Sequence, residues 1–145
     1  MSIVIDTLTE YSDDALAAFH RLVPQLSSTT PPRSADELQA ILAADATTVF
    51  VALDGDVIVG TLTLVVFPIP TGVRAWIEDV IVDESVRGRG VGELLTSAAL
   101  ARATEVGAKS VDLTSRPTRE AANRLYVRMG FALRETNVYR YSLES

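Results

Sequence analysis

Apolar and polar positions change period several times along the chain, and each change marks a predicted element. Ile3, Ile5 and Leu8 suggest a first strand. Ser12, followed by Asp13 and Asp14, reads as an N-cap with acids in the first turn of a helix that runs to about Pro24. Ser34-Ala35-Asp36-Glu37 has the capping-box pattern, and Leu38, Ile41 and Leu42 share one helical face, so a second short helix is expected over 35–44. Residues 47–53 and 57–67 are rich in β-branched side chains. The turn signal Asp54-Gly55-Asp56 between them predicts a hairpin. Residues 74–82 become continuously apolar near their end, as in a strand covered on both faces.

From Gly90 the period becomes helical, with Val91, Leu94, Leu95 and Ala98 in step and Gly107 as the stop. Residues 109–114 then read as a strand. A helix over 118–129 follows, with Thr118 as its cap and Ala122, Leu125, Tyr126 and Met129 on one face, and residues 131–143 read as a final pair of strands. The order β-α-α-β-β-β-α-β-α-β-β describes an α/β layer structure, and the absence of repeats or a long linker predicts one domain over residues 1–145.

Composition narrows the function. With 48% hydrophobic and 22% charged residues the 145-residue chain is ordinary globular material, without an apolar run long enough to span a membrane. The start of the chain carries no signal-peptide pattern, so a cytoplasmic location is expected. No cysteine and one histidine leave no disulfide, no thiolate nucleophile and no donors for a zinc site, so no metal is expected. A net charge of −6 disfavours nucleic acid as a partner, because neutralising phosphates normally needs a basic face.

One basic spot stands out against this acidity. The stretch Val80-Ile81-Val82-Asp83-Glu84-Ser85-Val86-Arg87-Gly88-Arg89-Gly90-Val91-Gly92 carries a strand through a short turn into a helix. The first amides of a helix lack intrahelical partners, and the helix dipole adds partial positive charge, so this context binds anions. Glycines let the backbone approach a ligand closely, and Arg87 and Arg89 supply charge suited to phosphate oxygens. The spacing fits neither a dinucleotide-binding G-x-G-x-x-G nor a Walker loop.

Arg87-x-x-Gly90-x-Gly92 matches the R/Q-x-x-G-x-G/A signature, so the chain resembles the GNAT acetyltransferases. Residues 122–131, Ala-Asn-Arg-Leu-Tyr-Val-Arg-Met-Gly-Phe, resemble the superfamily's second signature, and Asp54-Gly55-Asp56-Val57-Ile58-Val59-Gly60 resembles its β-hairpin. The resemblance implies the GNAT fold: a mixed, mostly antiparallel sheet of about seven strands flanked by about four helices. It implies acetyl-CoA as donor, with the pyrophosphate on Arg87, Gly88, Arg89, Gly90, Val91 and Gly92, and Glu93 and Thr96 nearby. The pantetheine would pair with Val80, Ile81 and Val82, Asn123 would hydrogen-bond to it, and an amide near Ile81 or Val82 would face the thioester oxygen. Tyr126 corresponds to the tyrosine that assists the departing thiolate. Where the family often has asparagine seven residues before this tyrosine, the chain has Arg119.

The acceptor side is less sharply marked. An ammonium must lose a proton before it attacks, and Glu78 is the candidate base, with a water chain as the alternative. Two-residue periodicity puts Glu78 on one face with Val80 and Val82, with Asp79 opposite. Trp76, Phe67, Arg74 and Tyr139 are candidates for lining an acceptor pocket, Arg33 for a gate, and His20 reads as a helix-edge residue. The expected activity is direct acetyl transfer to the primary amine of a small molecule or peptide, by a monomer or homodimer. The competing class is a non-catalytic acyl-CoA sensor.

Overall fold

The computed structural model describes residues 2–144, which fall into two compact units divided between Leu113 and Thr114. The N-terminal unit begins with β1 (Ile3–Leu8) and α1 (Asp13–Leu26). Ser12 Oγ accepts from the Ala15 amide at 3.0 Å, the cap its position predicts, and Pro24 lies inside the last turns of α1. α2 (Ala35–Ala43) starts with the complete capping box: the Glu37 amide donates to Ser34 Oγ at 3.1 Å, and the Ser34 amide donates to Glu37 Oε1 at 2.9 Å. β2 (Thr47–Asp54), β3 (Val57–Ile69) and β4 (Gly72–Val82) follow. The β2–β3 turn uses Gly55 at φ +62°, a left-handed conformation that glycine adopts without penalty.

After β4 come one 3-10 turn (Glu84–Val86), α3 (Val91–Glu105) and the two-residue β5 (Val111–Asp112). The 3-10 turn is not visible in the apolar pattern. The sheet runs β1-β2-β3-β4-β5, antiparallel up to β4 and parallel between β4 and β5. The α3 helix packs across β1 to β4, burying Val91, Leu95, Ala99 and Ala103 along one i, i+4 row. Leu94, expected on that row, is 43% exposed; the stripe advances in steps of four and passes it by.

An irregularity in the β3–β4 ladder changes which side chains share a face. Thr63 pairs with Glu78 and Thr61 with Ile81, so β4 spends one more residue than β3 over this interval. Asp79 sits in the extra turn of backbone at φ +50°. This is a β-bulge, and it reverses the alternation beyond it. Directly opposed residues lie on the same face. Glu78 therefore shares a face with Ile81, whereas Val82, opposite Gly60, lies on the face that packs against α3. The expectation that Glu78 aligns with Val80 and Val82 is corrected, because strict period-two counting fails across a bulge.

The C-terminal unit contains α4 (Glu120–Arg128). Its N-cap is Arg119, without a side-chain cap, in place of the expected Thr118. The chain leaves α4 through Gly130 at φ +103°, and the Phe131 amide donates to the Tyr126 carbonyl at 2.9 Å. The predicted final pair of strands over 131–143 does not form. The sheet has five strands among the described residues, not about seven. Leu133 is 97% exposed and Leu143 91%, and a strand-like pattern has no ladder without a partner to supply it. The strand expected over 109–114 likewise shrinks to its two paired residues. Among the described residues no helix is long and apolar enough to cross a membrane.

Candidate active site

The glycine turn has the geometry of an anion cradle. Gly88 (φ +82°) and Gly90 (φ +77°) are both left-handed, and a Cβ at either would point into open space. Gly90 is the N-cap of α3 and offers no side chain to cap it, so the first amides of α3 keep their donors for a ligand. Glu93 stands in this first turn. The Arg87 guanidinium Nε donates back to the Val82 carbonyl at 3.3 Å, tying the turn to the end of β4. Arg89 is exposed on the same turn. Thr96, expected near a ligand, is fully buried, and its hydroxyl donates to the Gly92 carbonyl at 2.7 Å. Its observed partner is thus the carbonyl of the glycine turn itself.

The other half of the cradle is an exposed strand edge. Among the described residues β5 pairs with β4 only at Ala75 and Trp76, and past that point the β5-facing edge of β4 has no strand partner as far as Val82. The bulge lies within this stretch and re-aims its peptide groups. Glu78 and Asp79 are both exposed here. Val80 and Val82 are half-buried and Ile81 is buried. A strand edge of this kind offers backbone donors and acceptors to an extended ligand.

Gly60 explains how the two halves meet. A Cβ there would lie 3.1 Å from the Ile81 carbonyl oxygen, 3.2 Å from Val91 Cγ1 and 3.3 Å from Leu95 Cδ1. Only a residue without a side chain lets the first turn of α3 settle this close to the end of β4.

In the C-terminal unit Tyr126 is buried, with its ring edge-on to Phe131 at 5.6 Å between centroids. Burial pushes its hydroxyl pKa up, partly offset by the positive charge of Arg119. A hydroxyl held protonated is a donor, not a base. Asn123 Nδ2 donates to the Arg116 carbonyl at 3.0 Å, which fastens the entry to α4.

The profile of the acetyltransferase (GNAT) family matches residues 12–131. The chain belongs to that family. No curated protein matches it. Solved structures do: an aminoglycoside acetyltransferase from an uncultured soil metagenomic sample, solved with trehalose, is 25% identical at a TM-score of 0.87, covering 98% of this chain and 97% of that one. Glucosamine-6-phosphate N-acetyltransferase from Arabidopsis thaliana superposes at a TM-score of 0.81 with 20% identity, covering 97% and 99%. AAC(6')-Iy, in complex with a CoA-S-monomethyl-acetylneamine bisubstrate analogue, superposes at a TM-score of 0.80 with 20% identity, covering 98% and 99%. At 20% identity the likeness of these last two is one of fold.

The chain is therefore a GNAT acetyltransferase, and enzymes of this family use acetyl-CoA. The GNAT reading leaves the acceptor side to be assembled from the structure. Phe67 and Arg74 are opposed in the β3–β4 ladder, and Trp76 lies between Val65 and Asp112. Arg74 Nε is buried without a hydrogen-bond partner. His20 and Arg33, expected separately, are joined by a 2.8 Å contact from His20 Nε2 to the Arg33 carbonyl. Arg33 also pairs with Glu37 at 2.9 Å, which ties the loop before α2 to α2 itself. Tyr139 is 87% exposed in the C-terminal unit. Among the described residues there is no group of three or more histidines and carboxylates that could hold a metal.

Sequence reasoning missed three contributors: Gly60, Gln25 and Asp83. Gln25 Nε2 donates to Asp83 Oδ1 at 2.7 Å, and the Glu84 amide donates to Gln25 Oε1 at 3.1 Å, just before the glycine turn. These partners are 58 and 59 positions apart in the chain, so no local spacing announces them. For Gly60 a signal existed: a lone glycine inside a strand pattern marks close approach of another backbone.

Proposed function

We propose that the whole 145-residue chain acts as one catalytic domain that transfers an acetyl group from acetyl-CoA to the primary amine of a small-molecule or peptide acceptor. The observation that carries this reading is the uncapped start of α3, preceded by two left-handed glycines and lying beside the unpaired end of β4. The amides of residues 91 and 92, with Arg87 and Arg89, receive the pyrophosphate. The pantetheine extends along 80–82 as an added strand, which directs the thioester carbonyl toward an amide near Ile81 or Val82.

The amine nitrogen attacks the acetyl carbonyl carbon, and the carbonyl electron pair moves onto oxygen, where the backbone donor stabilises it. The intermediate, whose nitrogen carries one proton more than the amide product, loses that proton to solvent and collapses with cleavage of the C–S bond. The thiolate leaves with a hydrogen bond from Tyr126 or with its proton, which solvent then restores. Glu78, or water, removes the proton that the ammonium must lose before attack. Glu78 is itself exposed at the bulge. A chain without cysteine has no thiol for an acyl-enzyme, which agrees with direct transfer.

Gly92→Asp tests the phosphate assignment. It puts a carboxylate in the first turn of α3, where the pyrophosphate would sit, so calorimetry should show acetyl-CoA affinity lost from a protein with an unchanged circular dichroism spectrum. Retained affinity would end the assignment. A screen of polyamines, amino acids, amino sugars, aminoglycosides and peptides, read as thiol released from acetyl-CoA, identifies the acceptor. Binding without thiol release across the whole panel would instead identify a sensor.

A further inference from the structure

α1 does more than cover the sheet. Its last turns reach the segment that joins β4 to the glycine turn, and a single side chain makes both connections. Gln25 Nε2 donates to Asp83 Oδ1 at 2.7 Å, while Gln25 Oε1 accepts from the Glu84 amide at 3.1 Å. The amide thus closes a ring with a carboxylate and a main-chain N–H of consecutive residues. The other oxygen of Asp83 accepts from Ser85, from its amide at 3.4 Å and from its hydroxyl. Asp83 is itself the cap of the 3-10 turn, and its own amide donates to the Val59 carbonyl at 2.8 Å, one step beyond the β3–β4 ladder.

From here the connections run straight into the cradle. The Val86 amide donates to the Asp83 carbonyl at 3.0 Å, Val86 is buried, and Arg87 reaches back to Val82 at 3.3 Å. On the α1 side, one turn before Gln25, the Arg21 guanidinium donates to the Ile58 carbonyl and holds the helix against the start of β3. The Asp83 carboxyl is held below its usual range, first by the Gln25 hydrogen bond and then by Ser85, which keeps it an acceptor for both.

We infer that Gln25 is a positioning residue for the coenzyme turn: its two-point clasp on Asp83 and Glu84 fixes the path along which residues 87–92 present their donors to the pyrophosphate. The inference rests on the reading of that turn as the CoA site. A turn fixed before the ligand arrives loses less freedom on binding, so the clasp raises affinity without touching the coenzyme. The residue type matters as much as the position. Gln supplies a donor to an ionised carboxylate and an acceptor to an amide in one planar group, which Glu, Lys or Ala does not.

The experiment is calorimetric titration of the full-length protein with CoA, in wild type, Gln25→Ala, Gln25→Glu and the double variant Q25E/D83N. Gln25→Ala removes both bonds of the clasp together with the 3.4 Å bond from Gln25 Nε2 to the Arg21 carbonyl, and Gln25→Glu sets two carboxylates face to face. Each should raise the CoA dissociation constant by about 5- to 10-fold, in a protein whose thermal melt remains cooperative. The double variant exchanges donor and acceptor across the same contact, keeps an oxygen for Ser85 and for the Glu84 amide, and should return the constant to within about 2-fold of wild type. A merely structural role for Gln25 gives no reason for that recovery.

Wild-type affinity in both single variants, or weakened singles that the double variant fails to restore, overturns the inference. A wild-type protein that does not bind CoA overturns the reading of the turn beneath it, and that result appears before any variant is compared.

Discussion

Under the proposed mechanism Tyr126 and Glu78 are the two side chains with proton chemistry to perform, and one is buried while the other is exposed. Burial raises the Tyr126 hydroxyl above its ordinary value of about 10, so it stays protonated through any working pH and can only donate. A thiol of pKa about 8.5 is a good leaving group, so the expected contribution is a hydrogen bond to the departing sulfur with partial or late proton transfer. Tyr126→Phe keeps the ring and its edge-on contact with Phe131. Acetyl-CoA binding should persist while the single-turnover rate falls about 10-fold or more. A normal single-turnover rate with only a lowered melting temperature would leave Tyr126 as a packing residue. Steady-state kcat does not decide this, because product release can hide a slower chemical step.

Among the elements, α3 carries the proposed coenzyme site, and its seat depends on a missing side chain. The Gly60 position is hemmed in by the Ile81 carbonyl, Val91 and Leu95, each at 3.1 to 3.3 Å from where a Cβ would stand. Gly60→Ala therefore pushes a methyl group against the first turn of α3 and the end of β4. The expected cost is about 1–3 kcal/mol, read from denaturant midpoints. Trimming one of the crowded partners should return part of it: G60A/V91A should cost less than the sum of its two single variants. Additive costs would mean that the ångström-scale crowding at Gly60 is absorbed elsewhere. The α1 helix is also more than a cover, since Gln25 reaches the approach to the same turn.

For the whole molecule, charge is distributed unevenly. Residues 114–145 hold six arginines against three glutamates and carry +3, which leaves −9 on residues 1–113 of a chain whose total is −6. Under the proposed reading the anionic coenzyme meets Arg87, Arg89 and the start of α3, while the net charge of the N-terminal unit favours cations. For a polycationic acceptor, raising salt from about 50 to about 500 mM shortens the Debye length from roughly 14 Å to roughly 4 Å and should raise its KM several-fold. An acceptor with one charge should respond much less. Equal salt responses for acceptors of different charge would show that the overall field plays no part in acceptor capture.

Much of this was legible in the chain. Ser12, the box at Ser34 and Glu37, and the Gly55 turn act over three or four residues, and each element they predict is present. The order of elements up to α4 and the glycine turn were legible for the same reason: capping, turn chemistry and amphipathic period are local interactions. The departures have a common cause of the opposite kind. Residues 131–143 alternate like strands, but a ladder exists only where another strand supplies it, and here it does not. The face of Glu78 was misread because a bulge is a property of two strands in register, not of one sequence. Gln25 and Asp83 meet across 58 residues, and Gly60 matters because Ile81 and the start of α3, 21 and 31 residues later, approach it closely. The sequence by itself determined the elements through α4 and their order, and it singled out the glycine turn, through forces that act between near neighbours. The tertiary structure alone decided which faces meet, which edge of β4 stays open and which distant side chain holds the turn, because pairing and packing join residues that the chain keeps far apart.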